Sequence, residues 1–146
     1  MRITKNKLVV ITCCALLGIF NSCQNTTELQ NQYNSLFEEV IAVHDEIMPK
    51  MTQLSKLQLQ IKTDTLIQVD TKDEALKKLQ ASDDRMMTWM HTFTDEYVKD
   101  RKPVSKMSQT ELENGIEGLQ SELEEVESLR EFTYSSIDLA EEILNN

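Results

Sequence analysis

The chain has 146 residues, 40% of them hydrophobic, and its 15 basic against 25 acidic side chains give a net charge of −10. That length suits a single domain, and so acidic a chain repels phosphate backbones, which sets nucleic-acid binding aside. The three cysteines, at positions 13, 14 and 23, form neither a C-x-x-C zinc or redox motif nor a disulfide framework.

The N-terminus is unlike the rest. MRITKNK (1–7) carries Arg2, Lys5 and Lys7, and LVVITCCALLGIF (8–20) is an uninterrupted apolar run. Charge followed by an apolar stretch is the order of an export leader. At 1.5 Å per residue the run gives about 20 Å of helix, short of the roughly 30 Å of a bilayer core, so it reads as a leader rather than a permanent span. Asn21-Ser22-Cys23 follows and resembles the signal of bacterial lipoproteins. Leu16, Leu17, Ser22 and Cys23 fit that pattern, whereas Phe20 and Asn21 depart from its small and aliphatic positions. The resemblance implies cleavage before Cys23 and lipidation of its sulfur, which becomes the membrane anchor. The expected organisation is a signal peptide over 1–22, lipidated Cys23 with a polar tether over 23–27, and a helical domain over 28–146. Losing 1–22 removes three basic and no acidic residues, so the mature charge moves from −10 to −13. Gln24 is not the aspartate that retains some lipoproteins on the inner membrane. The expected location is therefore the outer membrane, with the domain facing the periplasm.

Beyond the leader, apolar residues recur every three to four positions, which is helical periodicity. The first run takes Tyr33, Phe37, Val40, His44, Ile47, Met51, Leu54, Gln58 and Ile61, a heptad seam. The second takes Leu76, Leu79, Asp83, Met86, Met90, Phe93 and Tyr97, and the third runs from Leu112 to Leu144. Thr71–Glu74 and Ser108–Glu111 both fit the S/T-x-x-E capping box. Connections at 63–70 and 99–107 are short enough to join antiparallel neighbours. The spacing predicts an all-α, up-down-up three-helix antiparallel bundle, partly coiled-coil-like, with helices near 27–62, 72–98 and 108–144.

Anchoring at Cys23 would turn the 99–107 loop toward the membrane. Its Lys99, Arg101, Lys102 and Lys106 suit a helix C-terminus locally, and also suit contact with anionic headgroups, worth about 1 kcal/mol each. Asp83 on the second seam is expected to be a buried polar residue that fixes register.

Two stretches are unusually furnished. HDEIMPKM (44–51) and RMMTWMH (85–91) hold five methionines, the only tryptophan and both histidines. An antiparallel pairing of the first two helices brings these stretches level, His44 with Met90 and His91, Met48 with Met87, and Met51 with Met86. One reading is a core in which flexible thioethers fill gaps. His44 would then hydrogen-bond a neighbour such as the Asp45 carbonyl, which Pro49 deprives of its helical donor. A second reading is a Cu(I) site built from His44, Met48, Met51, Met87 and Met90, because thioether and imidazole are soft ligands. Its residue types resemble those of periplasmic copper-handling proteins, although their M-x-M and M-x-x-M-x-x-M repeats are missing. A third reading, haem held between His44 and a methionine, is opposed by the bulky seam aromatics.

No E-x-x-H pair, glycine-rich phosphate loop or G-x-S-x-G motif occurs, so no catalytic residues are assigned and no enzyme is expected. Behind its leader, the pairing of HDEIMPKM with MMTWM (86–90) is similar to a group of small helical bacterial lipoproteins that often carry the label "viral A-type inclusion protein". That resemblance implies a membrane-tethered envelope protein. The expected partners are the membrane, through the lipid, and an envelope protein, with no small-molecule substrate.

Overall fold

A computed structural model describes residues 19–145. Helix α1 spans Ile19–Thr63, α2 spans Val69–Phe93 and continues through a single π-helical turn over Thr94–Val98, and α3 spans Gln109–Asn145. A short 3₁₀ turn, Val104–Lys106, lies in the second connection. Among the described residues there are no strands, and the expected three-helix bundle is the observed architecture.

Side-chain pairs fix the directions. Glu46 meets Arg130 and Tyr134, and Gln53 meets Glu141, so α1 and α3 run parallel. Phe37 faces Phe93 and His44 faces Trp89, so α2 runs against α1. Gln30 Nε2 donates to the Val104 carbonyl at 3.4 Å, which places the second connection beside the N-terminal part of α1.

Local chemistry explains the boundaries. Ser108 and Glu111 form the expected capping box: the Ser108 N–H donates to Glu111 Oε2 at 2.7 Å, and the Glu111 N–H donates to Ser108 Oγ at 3.3 Å. The Thr71–Glu74 box does not cap α2, which starts at Val69 after Gln68. Asp64 decides that boundary instead. Its Oδ1 accepts the N–H groups of Leu66 and Ile67 at 2.7 and 3.3 Å, and its carbonyl accepts from Lys72 Nζ, so a tight turn delivers the chain into α2 early. At the other end, the QNTT stretch expected to be an unstructured tether is helical. Nothing from Ile19 to Thr27 is glycine or proline, and extending an existing helix is cheap once it is nucleated. Pro49 lies inside α1 without ending it.

The core has two segments. The one nearer the N-terminus of α1 holds Tyr33, Val40, Ile47, Met86, Trp89, Phe93, Tyr97 and Leu119, and the distal one holds Leu54, Ile61, Leu79 and Ile137. Met51 packs against both. Between them sit buried Ser82, Thr133 and Ser136. Ser82 Oγ donates to Ser136 Oγ at 3.2 Å, and Ser136 Oγ donates to the Phe132 carbonyl at 2.7 Å. The buried polar residue of α2 is thus Ser82, and Asp83 is only half-buried. A serine can satisfy its hydroxyl inside the bundle, whereas a carboxylate would lose far more solvation.

Gly115 and Gly118 are explained by ring packing. A Cβ on Gly115 would lie 2.5 Å from Tyr33 Cε2, and one on Gly118 would collide with the Tyr97 hydroxyl. Close approach of tyrosine rings accounts for both. Alanine gains about 1 kcal/mol of helix propensity over glycine, but overpacking typically costs 1–3 kcal/mol. Gly115→Ala and Gly118→Ala should each therefore lower the denaturation midpoint, as urea unfolding followed by circular dichroism will show.

Candidate functional site

The two furnished stretches meet, but in a different phase from the expected one. On α2 the buried positions are Ala75, Leu79, Ser82, Met86, Trp89, Phe93 and Tyr97. Trp89 therefore occupies the place expected for Met90, and His44 faces Trp89 rather than Met90 and His91. Both phases satisfy the three-and-four spacing. Burying an indole removes about 150–250 Å² from water, about 4–6 kcal/mol, more than a methionine offers, so the ring decides.

Trp89 is 3% exposed and lies within a run of stacked rings. His44 and Trp89 have centroids 5.6 Å apart, Trp89 and Phe93 4.9 Å, and Phe93 and Tyr97 5.1 Å, with interplanar angles of 18–30°. Such offset pairs add about 0.5–1.5 kcal/mol each beyond burial. The π turn falls where Tyr97 follows Phe93, at the end of the run.

The Cu(I) set divides. His44 has a side chain 16% exposed, with Met51 and Met90 half-buried against the core. Met48 and Met87 lie outward, 38% and 60% exposed. The fully buried thioether is Met86, outside the expected set. His91 is exposed, with Nε2 3.5 Å from Asp95 Oδ2. No group of three or more His, Cys, Asp or Glu side chains converges among the described residues. His44 Nδ1 lies 3.0 Å from Asp45 Oδ1, so the Asp45 side chain rather than its carbonyl is the partner. A carboxylate accepts only, so Nδ1 carries the proton. In the neutral ring Nε2 is then the acceptor, and it is buried with no protein partner.

Three further buried atoms lack a protein partner: Trp89 Nε1, Glu122 Oε2 and, between the two core segments, Thr133 Oγ1. The indole N–H is close enough to pull the Glu122 carboxyl downward, but the two groups do not align into a hydrogen bond. Burial outweighs that pull, and with the charges of Glu125 and Glu96 it holds the Glu122 carboxyl above its ordinary range. The same burial, with Glu96 and Glu122 nearby, pushes the Tyr97 hydroxyl up to about 12. Glu122 had no sequence signal, because a glutamate beside a helix seam usually reaches water.

The basic loop is mostly engaged within the bundle. Lys99 pairs with Asp95 at 3.6 Å, and Lys102 Nζ reaches both Glu111 oxygens at 2.9 Å. With Ser108, that lysine holds the Glu111 carboxyl down to about 2, Lys102 being the larger influence. The Arg101 guanidinium lies 3.9 Å from the Phe37 ring centroid and 5.5 Å from that of Tyr33, and it donates to Asn34 Oδ1 at 3.3 Å. Lys106 is exposed and makes no ion pair among the described residues. Cys23 lies in the helical backbone of α1, but its side chain falls outside the described residues, as does the leader over 1–18. Among the described residues no helix is long and apolar enough to cross a membrane.

Comparison with protein-family models, curated proteins and solved structures finds no match to this chain.

Glu122 gives a pH test. Its folded pKa is raised, so ionising it costs stability that is intact below the ordinary carboxyl value of 4.5 and is lost as pH rises through the raised value. Glu122→Gln keeps an acceptor for the indole and removes the charge. Its melting temperature should exceed that of the parent chain at pH 7, by about 2–4 °C per kcal/mol relieved, and the gain should vanish near pH 4. A calorimetric melt at both pH values reads the difference.

Proposed function

We propose that this chain is a lipid-anchored protein of the bacterial cell envelope, tethered through Cys23 to the outer membrane, whose acidic bundle is a non-catalytic binding or structural module for an envelope protein. The observation that supports it is the basic-then-apolar leader running up to Cys23, which lies near the start of a single long helix. From Cys23 to Thr63, α1 extends about 60 Å at 1.5 Å per residue. An anchor at one end of that rod holds the far end well away from the lipid. Lys106 and the cations around it face the anchored end, where they add weak attraction to anionic headgroups. In cells that make the protein, Cys23→Ala should move it from the membrane fraction to the soluble fraction. Retention of the variant in washed membranes contradicts the anchor.

His44 supports a second reading, a Cu(I) site. Its Nδ1–H is oriented by a carboxylate and its Nε2 is bare, the tautomer in which a metal-ligating histidine is usually held. Met51 and Met90 would supply sulfur from α1 and α2, with Met48 and Met87 at the surface edge. Bound copper would bring soft-metal storage or transfer. This reading requires one-to-one Cu(I) binding by the full chain in detergent, under reducing conditions against a competing chelator, weakened at least tenfold by His44→Ala. Absence of competitive binding removes it and leaves His44 as the stacking partner of Trp89.

A further inference from the structure

The exposed large apolar side chains are unevenly placed. Leu66, Val69 and Leu59 are the three most exposed among the described residues, at 92%, 70% and 64%, and all lie around the turn between α1 and α2. Leu66 also edges a depression of about 470 Å³ whose other apolar lining is Ile67, Ile143 and Leu144, with Asp64, Gln68 and Thr71. Leu66 thus shares one apolar surface with Ile67, Ile143 and Leu144, and apolar surface of that kind marks interaction sites, whereas scattered single residues do not.

The turn holds Leu66 outward. Asp64 Oδ1 accepts the N–H groups of both Leu66 and Ile67, and Lys72 Nζ holds the Asp64 carbonyl, so the loop is tied on both sides. Ile67 folds against the distal core while Leu66, its neighbour, remains in water. A tied loop that displays a leucine loses little conformational freedom on docking.

Charge selects the occupant. Residues 62–78 and 138–145 contain Asp64, Asp70, Asp73, Glu74, Asp138, Glu141 and Glu142 against Lys62, Lys72, Lys77 and Lys78, of which Lys78 pairs with Glu74 at 3.5 Å. An acidic rim repels a second copy of the same tip and an anionic lipid surface alike. It attracts an apolar pocket edged by lysine or arginine.

We propose that the turn between α1 and α2, with Leu66 as its anchor and Val69 beside it, docks into an apolar, basic-rimmed pocket of an envelope protein. This deepens the functional reading above and rests on it, because the anchor at the opposite end of α1 is what holds the tip outward.

The test uses the full chain in the cells that make it, with a photo-cross-linking amino acid in place of Leu66 and, as a control, in place of exposed Gln80 on α2. The expected result is one adduct to a different protein at position 66, absent at 80. Adding Asp73→Lys, an exposed change outside the core, should cut its yield at least threefold. The mapped site on the partner should be apolar with lysine or arginine at its edge. Adducts to a second copy of this chain or to phospholipid, equal adducts at 66 and 80, no adduct at all, or a yield unmoved by Asp73→Lys would each overturn the proposal. Membrane retention of the unaltered chain, read from the same cells, reports on the anchor separately.

Discussion

The burial of Trp89 sets the terms for the rest of the bundle. The indole sits where all three helices meet, stacked between His44 of α1 and Phe93 of α2, with Glu122 of α3 beside its N–H. Once that ring is inside, the phase of α2 is fixed. Met86 and Phe93 must then be buried, Met87 must face water, and Ser82 rather than Asp83 must lie on the inner face. The ring also commits polar atoms to the interior. His44 Nε2, Trp89 Nε1 and Glu122 Oε2 each lack an aligned protein partner, and burying a polar group without one costs stability. The surrounding aromatic packing offsets that cost.

Much of the architecture was legible in the sequence. Apolar spacing marked three helices, and the Ser108–Glu111 box marked where the third begins, because a cap is a local interaction between neighbours in the chain. The start of α2 was misread because Asp64, outside the helix, controls it through its own turn. The candidate site was less legible. Met90 and Trp89 satisfy the same periodicity, and only the larger area of the indole separates them. Choosing Met90 shifted the facing pair by one position and gathered outward-facing Met48 and Met87 into a common ligand set. Glu122 and the clamp on Arg101 by Phe37 and Tyr33 were invisible for a different reason. Both depend on which side chains from other helices arrive nearby.

The two ends of the bundle differ in chemistry. Near the N-terminal half of α1 the core is aromatic and the connecting loop is basic, with its cations largely paired to carboxylates or rings. At the far end the core is aliphatic and the surface is acidic around displayed leucine and valine side chains. The proposed tether at the first end and the proposed docking surface at the second would account for this polarity together. The Ser82–Ser136 contact lies between them, and Met51 packs against both cores, so the two ends share one continuous interior.

The proposed function depends most directly on what happens at Cys23. Mass spectrometry of the protein isolated from its own cell membranes should find Cys23 as the first residue, its sulfur carrying a diacylglyceryl group, with 1–22 absent. An unmodified Cys23, whether behind an intact leader or after cleavage elsewhere, would contradict the anchored rod and leave only the bundle itself standing.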